Sequence, residues 1–333
     1  MASVQRFWIG IDGADKFDYR AQAPRYADFI AHWFTSWKSQ GARFKRFHPG
    51  GRALVYANFG TTGDNRCCYA TAISLAEARA NGWLARHAGA EIPNPWNGNV
   101  KNPVLDLGKP GVAAAIARSL EAKGAGQGWD GIFADDVNAW FNLWAAGRGI
   151  DGYANPQDFW SRAVIPTLRY VAARLRADRG WLLVASIGDW ANHPEEDAAA
   201  IAGSGAMNEY FLTYGNAAPQ TPAQVENEYR SLRNLAASGK TYYGVVHRAD
   251  RQGLRFAFCA GAIMGGDEPG LVRVATQTAY GSTMPVRDRT FAIRLGAPTA
   301  PVSHAAGSTT WSRAFARGRT LTIDTRAQTC RGL

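Results

Sequence analysis

The sequence has few cysteines and no long apolar segment. Only four of its 333 residues are cysteine (Cys67, Cys68, Cys259 and Cys330), too few and too irregularly spaced for a disulfide scaffold or a Cys-x-x-Cys zinc site. No stretch approaches the roughly 18 to 20 apolar residues of a membrane span, and the start, MASVQRFWIG, lacks the basic segment and long apolar core of a signal peptide. We therefore expect no membrane span and no signal peptide.

Motifs of metal, nucleotide and nucleic-acid sites are also missing. The six histidines are scattered and form no His-x-His pair, as a metal-dependent hydrolase barrel would require. Gly124, Gly126 and Gly128 precede a predicted strand and lack a following Lys-Ser/Thr, so they predict a turn and not a phosphate cradle. No helix-turn-helix, RNA-recognition or zinc-finger pattern is present. We expect no metal, no organic cofactor and no nucleic-acid partner.

Positive charge is concentrated in the last third of the chain. The net charge is +10, and from Arg230 onward fifteen Lys or Arg residues stand against five Asp or Glu, which accounts for the whole excess. This bias indicates either an ordinary solvated face or a surface that attracts anionic glycans, nucleic acid or an acidic protein surface, with other virion or cell-surface proteins as candidate partners.

The length and composition suit one large α/β domain. With 46% hydrophobic and 12% aromatic residues, the chain can bury a full core. Apolar runs alternate with segments of helical periodicity, as parallel strands with crossover helices require. The predicted strands are residues 7–12, 53–59, 104–108, 131–135, 181–188, 206–213 and 241–247, with an eighth at 260–264 or 271–275. This pattern predicts a (β/α)8 TIM barrel.

Two further segments complete the predicted organisation. A helix is predicted from Pro24, because aromatic and apolar residues recur at helical spacing; they are Tyr26, Phe29, Ile30, Trp33 and Trp37. Beyond Arg294 the pattern changes to short β segments, 311–315 and 320–323, separated by a turn at residues 317–319. We therefore divide the chain into a barrel of residues 1–293 and a C-terminal antiparallel β extension of residues 294–333.

Acidic and polar residues follow the predicted strands. In a parallel barrel the C-terminal strand ends form the active-site face, so their side chains converge there. The most informative run is 128–137, GWDGIFADDV, where an apolar strand ends in two carboxylates that would be costly to bury without partners. The strand-end candidates are Asp12, Asn58, Asp106, Asp135, Asp136, Asp189 and His247, and Glu209 lies within the predicted sixth strand.

Asp135 and Glu209 are the predicted catalytic pair. Glycoside hydrolysis needs one protonated carboxyl group to donate to the leaving oxygen and one ionised carboxylate to attack the anomeric carbon or activate water. Since neighbouring strand side chains alternate sides, we expect Asp135 to be the nucleophile or stabilising carboxylate and Asp136 to support it or face a loop. Glu209 is the predicted general acid/base, with Asp12 or Asp106 as alternatives.

The remaining strand-end residues and several aromatic residues are predicted to bind the sugar. Aromatic faces suit the C–H faces of sugars, although a core or loop-anchoring role is the alternative for each ring. The stacking candidates are Trp96, Trp140, Trp144, Trp190 and Tyr214. For Asp12, Asp106 and Asp189 a cap or turn role is equally compatible with the pattern.

One segment of the chain resembles a known protein family. The run from Asp106 to Val137, DLGKPGVAAAIARSLEAKGAGQGWDGIFADDV, is similar to glycosyl-hydrolase-like TIM-barrel proteins, distantly similar to endo-α-1,4-polygalactosaminidase-type barrels. Their pattern is Asp-Leu-Gly-x-Pro followed by Gly-(Trp/Tyr)-Asp-Gly-(Ile/Val)-Phe-x-Asp-(Asp/Asn). The resemblance implies that Asp135 is the catalytic Asp, Glu209 the sixth-strand acid and Asp106 the third-strand Asp.

The resemblance extends to the C-terminal hairpin, with one departure. The family's Arg-x-Phe-x-x-Gly pattern is matched by Arg313, Phe315 and Gly318, but Asp324 stands where the family has Asn. The departure concerns the last strand and not the catalytic residues.

The sequence therefore predicts a metal-independent glycosidase acting on a polysaccharide, with a bacterial cell-surface glycan as the expected substrate. The alternative is a non-catalytic carbohydrate-binding barrel, for example a phage tail or adhesion component. Such a protein acts outside the cell when a phage particle delivers it; otherwise the absence of a signal peptide indicates the cytoplasm.

Overall fold

Eight parallel strands close into a barrel in the computed structural model. It describes residues 4–10, 17–31, 39–63, 71–95, 98, 100–137, 144, 147–188, 202–215, 217–248, 250–268, 270–277 and 289–333. The barrel strands are β1 (Gln5–Gly10), β2 (Asp28–Ala31), β3 (Arg52–Asn58), β4 (Gly131–Asp135), β5 (Leu182–Gly188), β6 (Gly205–Asn208), β7 (Thr241–Val246) and β8 (Val272–Thr276). Each pairs in parallel with its sequence neighbour, and β8 closes on β1. The predicted TIM barrel is confirmed.

Helices on the outside of the barrel connect the strands. They are α1 (Tyr19–Gln22), α2 (Gln40–Phe47), α3 (Leu75–Ala80), α4 (Val112–Gly124), α5 (Pro156–Phe159), α6 (Ile165–Arg179), α7 (Pro222–Ala237) and α8 (Arg251–Gly265). A π-helical turn, Trp160–Val164, joins α5 to α6. Polar side chains stabilise the helix starts: Thr221 and Gln224 form a capping box at the start of α7. In the described part of the chain no helix is both long and apolar enough to cross a membrane.

Two of the predicted elements are wrong. The predicted helix from Pro24 contains a short turn, Ala23–Arg25, followed by the strand β2; residues 32–38 lie outside the described residues. All four residues of β2 are buried, because β1 and β3 flank the strand and the core lies behind it. Its sequence therefore lacks the period-two alternation of a half-exposed strand.

The predicted third strand, residues 104–108, is not in the barrel. Val104 and Leu105 form isolated antiparallel bridges with Thr61 and Leu84 inside the long β3–β4 connection, which also contains a small hairpin, Arg86–His87 with Ala90–Glu91. Of the two candidates for the eighth strand, the later one is correct, and residues 260–264 belong to α8.

A three-stranded antiparallel sheet follows the barrel, as the sequence predicts. It consists of β9 (Thr310–Phe315), β10 (Arg319–Asp324) and β11 (Thr329–Arg331), and a disulfide joins Cys330 to Cys259 in α8. Asp324 accepts backbone hydrogen bonds from Arg326 and Ala327, each 2.9 Å, a role that an asparagine oxygen also fills. The proposed division at residue 293 remains a prediction.

Candidate active site

Asp135 lies at the C-terminal end of β4 and is oriented by a tyrosine. The Tyr56 hydroxyl, on the neighbouring strand β3, donates a 2.6 Å hydrogen bond to Asp135 Oδ2. Tyr56 is buried and its ring packs 6.0 Å from that of Phe133. A phenol fixed in this way holds the carboxylate in one orientation and favours its ionised form.

Asp136 points elsewhere and supports the loop that follows β3. Its carboxylate accepts a short hydrogen bond from the Asn58 amide, while Asn58 Oδ1 accepts from the backbone N–H of Thr61 at 2.8 Å. Asp136 adopts a left-handed backbone conformation, φ +55°, which Asp tolerates better than most residues. A Cβ on Gly60 would lie 2.1 Å from the Asp136 carbonyl oxygen, so this turn requires glycine.

Glu209 immediately follows β6, and its side chain extends towards Asp135. Its Oε1 accepts a 2.6 Å hydrogen bond from the Ser186 hydroxyl on β5. Its carboxyl group also lies within hydrogen-bonding distance of Asp135. Two residues 74 positions apart in the sequence, the number separating 135 from 209, are therefore in contact at the C-terminal end of the barrel.

The contact between the two carboxyl groups changes how they titrate. The pKa of Asp135 is raised to about 7: burial raises it most, the charge of Glu209 and their side-chain hydrogen bond also raise it, and the hydrogen bonds from Tyr56 and the Asp136 N–H oppose the rise. Since a hydrogen bond between two carboxyl groups requires a proton, the pair holds one proton and loses it near neutral pH. One acid and one base are thus present together.

His247, directly after β7, holds the backbone at Glu209. Its Nε2 donates a 2.6 Å hydrogen bond to the Glu209 carbonyl oxygen, and because a carbonyl only accepts, the ring hydrogen is on Nε2. The ring stacks on Tyr210 at 5.5 Å. Burial lowers the pKa of His247, although the bond to Glu209 opposes this shift. The ring is therefore a neutral support for the loop.

A buried glutamate anchors the other side of the same loop. Glu228 of α7 is fully buried and accepts hydrogen bonds from the Asn208 amide at 2.9 Å, the Leu212 N–H at 2.9 Å and the Gln220 amide at 2.6 Å. These bonds compensate for the cost of burying a carboxylate. The segment that carries Glu209 is thus fixed both before and after it.

Two other predicted sugar-binding residues have structural partners. Asp106 is buried, accepts 2.7 Å and 3.0 Å hydrogen bonds from the Tyr153 hydroxyl and the Gly108 N–H, and lies 3.7 Å from the Lys109 ammonium. These contacts make it a turn residue. Tyr214 is half-buried and its hydroxyl accepts a 2.7 Å hydrogen bond from Gln224.

The remaining predicted residues are only partly accounted for. Trp144 is half-buried and packs against the core, 6.1 Å from the Phe159 ring. Outside the described residues lie Asp12, Trp96, Trp140, Asp189 and Trp190. Within the described ranges, no group of three or more His, Cys, Asp or Glu side chains is arranged to hold a metal ion.

The fold is shared with glycoside hydrolases. No protein-family model and no curated protein matches the sequence. Among solved structures, the glycoside hydrolase domain of PelA from Pseudomonas aeruginosa is similar with a TM-score of 0.55 and 14% identity, over 85% of this chain and 98% of that one. At this identity the likeness establishes the fold, a glycosyl-hydrolase-like barrel.

Two further structures extend the comparison. α-L-Fucosidase isoenzyme 2 from Paenibacillus thiaminolyticus has a TM-score of 0.53 and 15% identity over 87% of this chain, which spans 48% of the fucosidase chain. The α-amylase AmyB from Thermotoga neapolitana has a TM-score of 0.51 and 8% identity, over 96% of this chain and 84% of that one. Barrels of this kind therefore occur among enzymes with different sugar substrates.

The sequence prediction missed Tyr56 and Ser186, the two hydroxyl donors. Neither stands at a strand end; Tyr56 lies inside β3 and Ser186 inside β5. Tyr56 lies two residues before Asn58 on β3, so the period-two alternation of a strand places both on one side. That spacing is the one sequence feature that could have identified Tyr56.

Proposed function

We propose that this protein is a glycoside hydrolase that cleaves a polysaccharide with Asp135 and Glu209. The observation that carries the proposal is the contact between these two carboxyl groups at the C-terminal end of a barrel. That end carries the active site in characterised TIM-barrel enzymes. The shared proton supplies the acid and base that glycosidic cleavage requires.

The hydroxyl partners suggest how the roles divide. Tyr56 donates to Asp135 and stabilises its charge, which suits a nucleophile or a carboxylate that stabilises positive charge on the sugar. Glu209 is then the acid/base, oriented by Ser186.

The carboxyl groups have to separate when a sugar binds. Retaining enzymes hold their carboxyl groups about 5 to 5.5 Å apart and inverting enzymes about 6.5 to 9.5 Å, whereas here the two groups are near enough for a side-chain hydrogen bond to affect the pKa of Asp135. A sugar that enters between them breaks their mutual hydrogen bond. Asp135 keeps the hydrogen bond from the Tyr56 phenol and Glu209 that from the Ser186 hydroxyl; because the phenol is the more acidic donor, we expect the proton to remain with Glu209.

The proposed substrate is a bacterial cell-surface polysaccharide. The resemblance of residues 106–137 to polygalactosaminidase-type barrels makes an α-1,4-linked galactosamine polymer the first substrate to test. We propose hydrolysis without a metal or an organic cofactor, with the basic C-terminal third as a contact surface for other virion or cell-surface proteins.

Substitution of the pair tests the proposal. We expect Asp135→Asn and Glu209→Gln each to reduce the release of reducing ends at least 100-fold, while binding to the same polysaccharide changes little. Asp130→Asn is the matched control, because Asp130 lies just before β4, at the opposite end of the same strand, and pairs with Lys45 at 2.5 Å. It should retain activity.

The same assay separates the enzyme from the non-catalytic alternative. A wild-type protein that binds a glycan but releases no reducing ends across a panel of cell-wall and capsular polysaccharides would be a carbohydrate-binding barrel. Activity that survives in both Asp135→Asn and Glu209→Gln would contradict the assignment of the catalytic pair.

A further inference from the structure

A positively charged groove opens near the N-terminal ends of β5, β6 and β7, away from Asp135. It has a volume of about 410 Å³, and small residues of α6 and the segment before β6 form its floor. Three cationic side chains line it: Arg169 and Arg176 of α6, and Lys240 just before β7. The volume is within the range of small-molecule sites.

The cations approach the groove from two separate elements. Arg169 and Arg176 are seven residues apart, two helical turns, so they lie on one face of α6 at about 10 Å spacing. Lys240 follows the end of α7 and comes from the other wall. The helix dipole favours a cation such as Arg176 at the C-terminal end of α6. It does not account for a second cation, Lys240, facing Arg176.

No acidic side chain neutralises this group in the part of the chain that the structure describes. None of the three cations forms an ion pair there, whereas Arg174 of the same helix lies 2.6 Å from Asp178 and 3.6 Å from Glu121. Lys240 is only half-exposed. Burial and the nearby charge of Arg176 both lower its pKa. Like charges held together in this way gain stability when an anion enters between them.

A hydroxyl group completes the lining. Ser204, directly before β6, accepts the Leu183 N–H at 3.2 Å on its oxygen, which leaves its own hydrogen to be donated. Gly203 has no side chain and that of Ala202 is small, so the floor of the groove has room for a ligand. Guanidinium, ammonium and hydroxyl donors around an open space are the groups that bind phosphate oxygens.

We propose that this groove is a binding site for an oxyanion, the phosphate group of a phosphorylated sugar or inorganic phosphate itself. Arg176 and Lys240 contact the anion from opposite walls, and Arg169 extends the positive surface along α6. The site stands on residues at the opposite end of the barrel from Asp135, so it does not depend on the proposed hydrolase activity.

Calorimetric titration tests the site directly. The wild-type protein is titrated with inorganic phosphate, glucose 6-phosphate and glucose at pH 7.5 and constant ionic strength. We expect both phosphates to bind and glucose not to bind. Tighter binding of glucose 6-phosphate than of phosphate identifies a sugar phosphate as the preferred ligand, and equal binding identifies the free anion.

Charge-neutralising variants distinguish the groove from general positive charge. Arg176→Gln and Lys240→Gln should each weaken phosphate binding roughly tenfold or more, because each removes a charged hydrogen-bond donor. Arg118→Gln, an equal loss of charge at an exposed position of α4 outside the groove, should leave binding unchanged. Thermal unfolding of each variant verifies that it is folded.

Two results would overturn the proposal. One is the absence of phosphate binding by the wild type at millimolar concentrations. The other is equal weakening by Arg118→Gln and the two groove variants, which would show that phosphate responds to net charge alone.

Discussion

Hydroxyl groups control the candidate pair at the level of single residues. Tyr56 donates to Asp135 and Ser186 donates to Glu209, each at 2.6 Å. A donor to a carboxylate stabilises its charged form and lowers its pKa. A phenol is a more acidic donor than an aliphatic hydroxyl, so we expect Tyr56 to favour the ionised form of Asp135 more strongly than Ser186 favours that of Glu209.

Tyr56→Phe tests this control. Without the phenol the pKa of Asp135 rises, so the ascending limb of the pH profile of kcat/KM should move to higher pH by about one unit, and kcat/KM at pH 6 should fall roughly tenfold. The measurement is the rate of reducing-end release between pH 4 and 9. Tyr170→Phe, on the exposed face of α6, is the control and should leave the profile unchanged. An unshifted limb in Tyr56→Phe would contradict the role given to the hydroxyl.

The raised pKa of Asp135 also predicts how stability depends on pH. A carboxyl group whose pKa is higher in the folded state, about 7 against an ordinary 3.8, stabilises the fold at pH below 3.8 and loses that contribution as the pH rises to 7. The shift corresponds to at most ~4 kcal/mol, and because some solvent reaches Asp135 we expect about 2 kcal/mol.

In Asp135→Asn, the side chain at position 135 no longer titrates. We therefore expect the free energy of unfolding of the variant to exceed that of the wild type at pH 8, with the difference disappearing towards pH 4. Urea unfolding at several pH values measures it. A constant difference across the pH range would show that Asp135 titrates normally.

Much of the candidate site could be predicted from the sequence, because acidic residues after apolar strands are visible there. Asp135, Asp136, Asn58 and His247 lie at or directly after strand ends, as predicted, whereas Glu209, expected inside the strand 206–213, follows a strand that ends at Asn208. Their partners could not be predicted, since which strand neighbours contribute a hydroxyl group depends on barrel register. The roles assigned to the pair stay predictions.

At the level of elements, short apolar strands are the least predictable part. The four residues of β2 are all buried, so they show neither strand alternation nor a distinctive helical face. Conversely, residues 104–108 have strand composition, but the turn that Asp106 forms with Gly108 ends the extended segment. The amino-acid composition of a segment therefore does not predict whether that segment becomes a barrel strand.

The C-terminal sheet is attached to the barrel mainly through α8. Arg313 of β9 is buried and donates to the Ile263 carbonyl at 3.0 Å, near the end of that helix, and it also pairs with Asp267. The disulfide between Cys259 and Cys330 joins α8 to β11. The extension is therefore held by a cation at a helix C-terminus and by a covalent bond.

Cys330→Ser measures the covalent part of this attachment. The disulfide spans 71 residues, for which the loss of chain entropy in the unfolded state predicts about 4 kcal/mol of stabilisation. The variant should unfold at lower denaturant concentration than the wild type under oxidising conditions. Added reductant should destabilise the wild type by a similar amount, and the two proteins should then unfold together. Equal stability before reduction would contradict a stabilising bond.

At the scale of the whole molecule, the two ends of the barrel carry different groups. The C-terminal end holds a carboxyl pair with a shared proton, whereas the N-terminal end contains a buried carboxylate shared by two arginines. Asp28, fully buried, accepts from Arg52 at 2.6 Å and 2.7 Å and from Arg273 at 2.9 Å. Arg52 also donates to the Tyr243 hydroxyl at 3.0 Å. Four barrel strands, β2, β3, β7 and β8, are joined in this way.

Asp28→Asn shows whether this network serves stability and not catalysis. The substitution leaves the buried Arg273 and the partly buried Arg52 without their carboxylate, which should lower the free energy of unfolding by about 3 to 5 kcal/mol. The specific activity of the folded variant should equal that of the wild type, because the network lies at the other end of the strands from Asp135. Glu91→Gln, which breaks the exposed pair between Arg79 and Glu91, should change stability little. A large loss of activity in folded Asp28→Asn would show that the two ends are coupled, and the barrel could then no longer be described as a rigid support with its chemistry at one end.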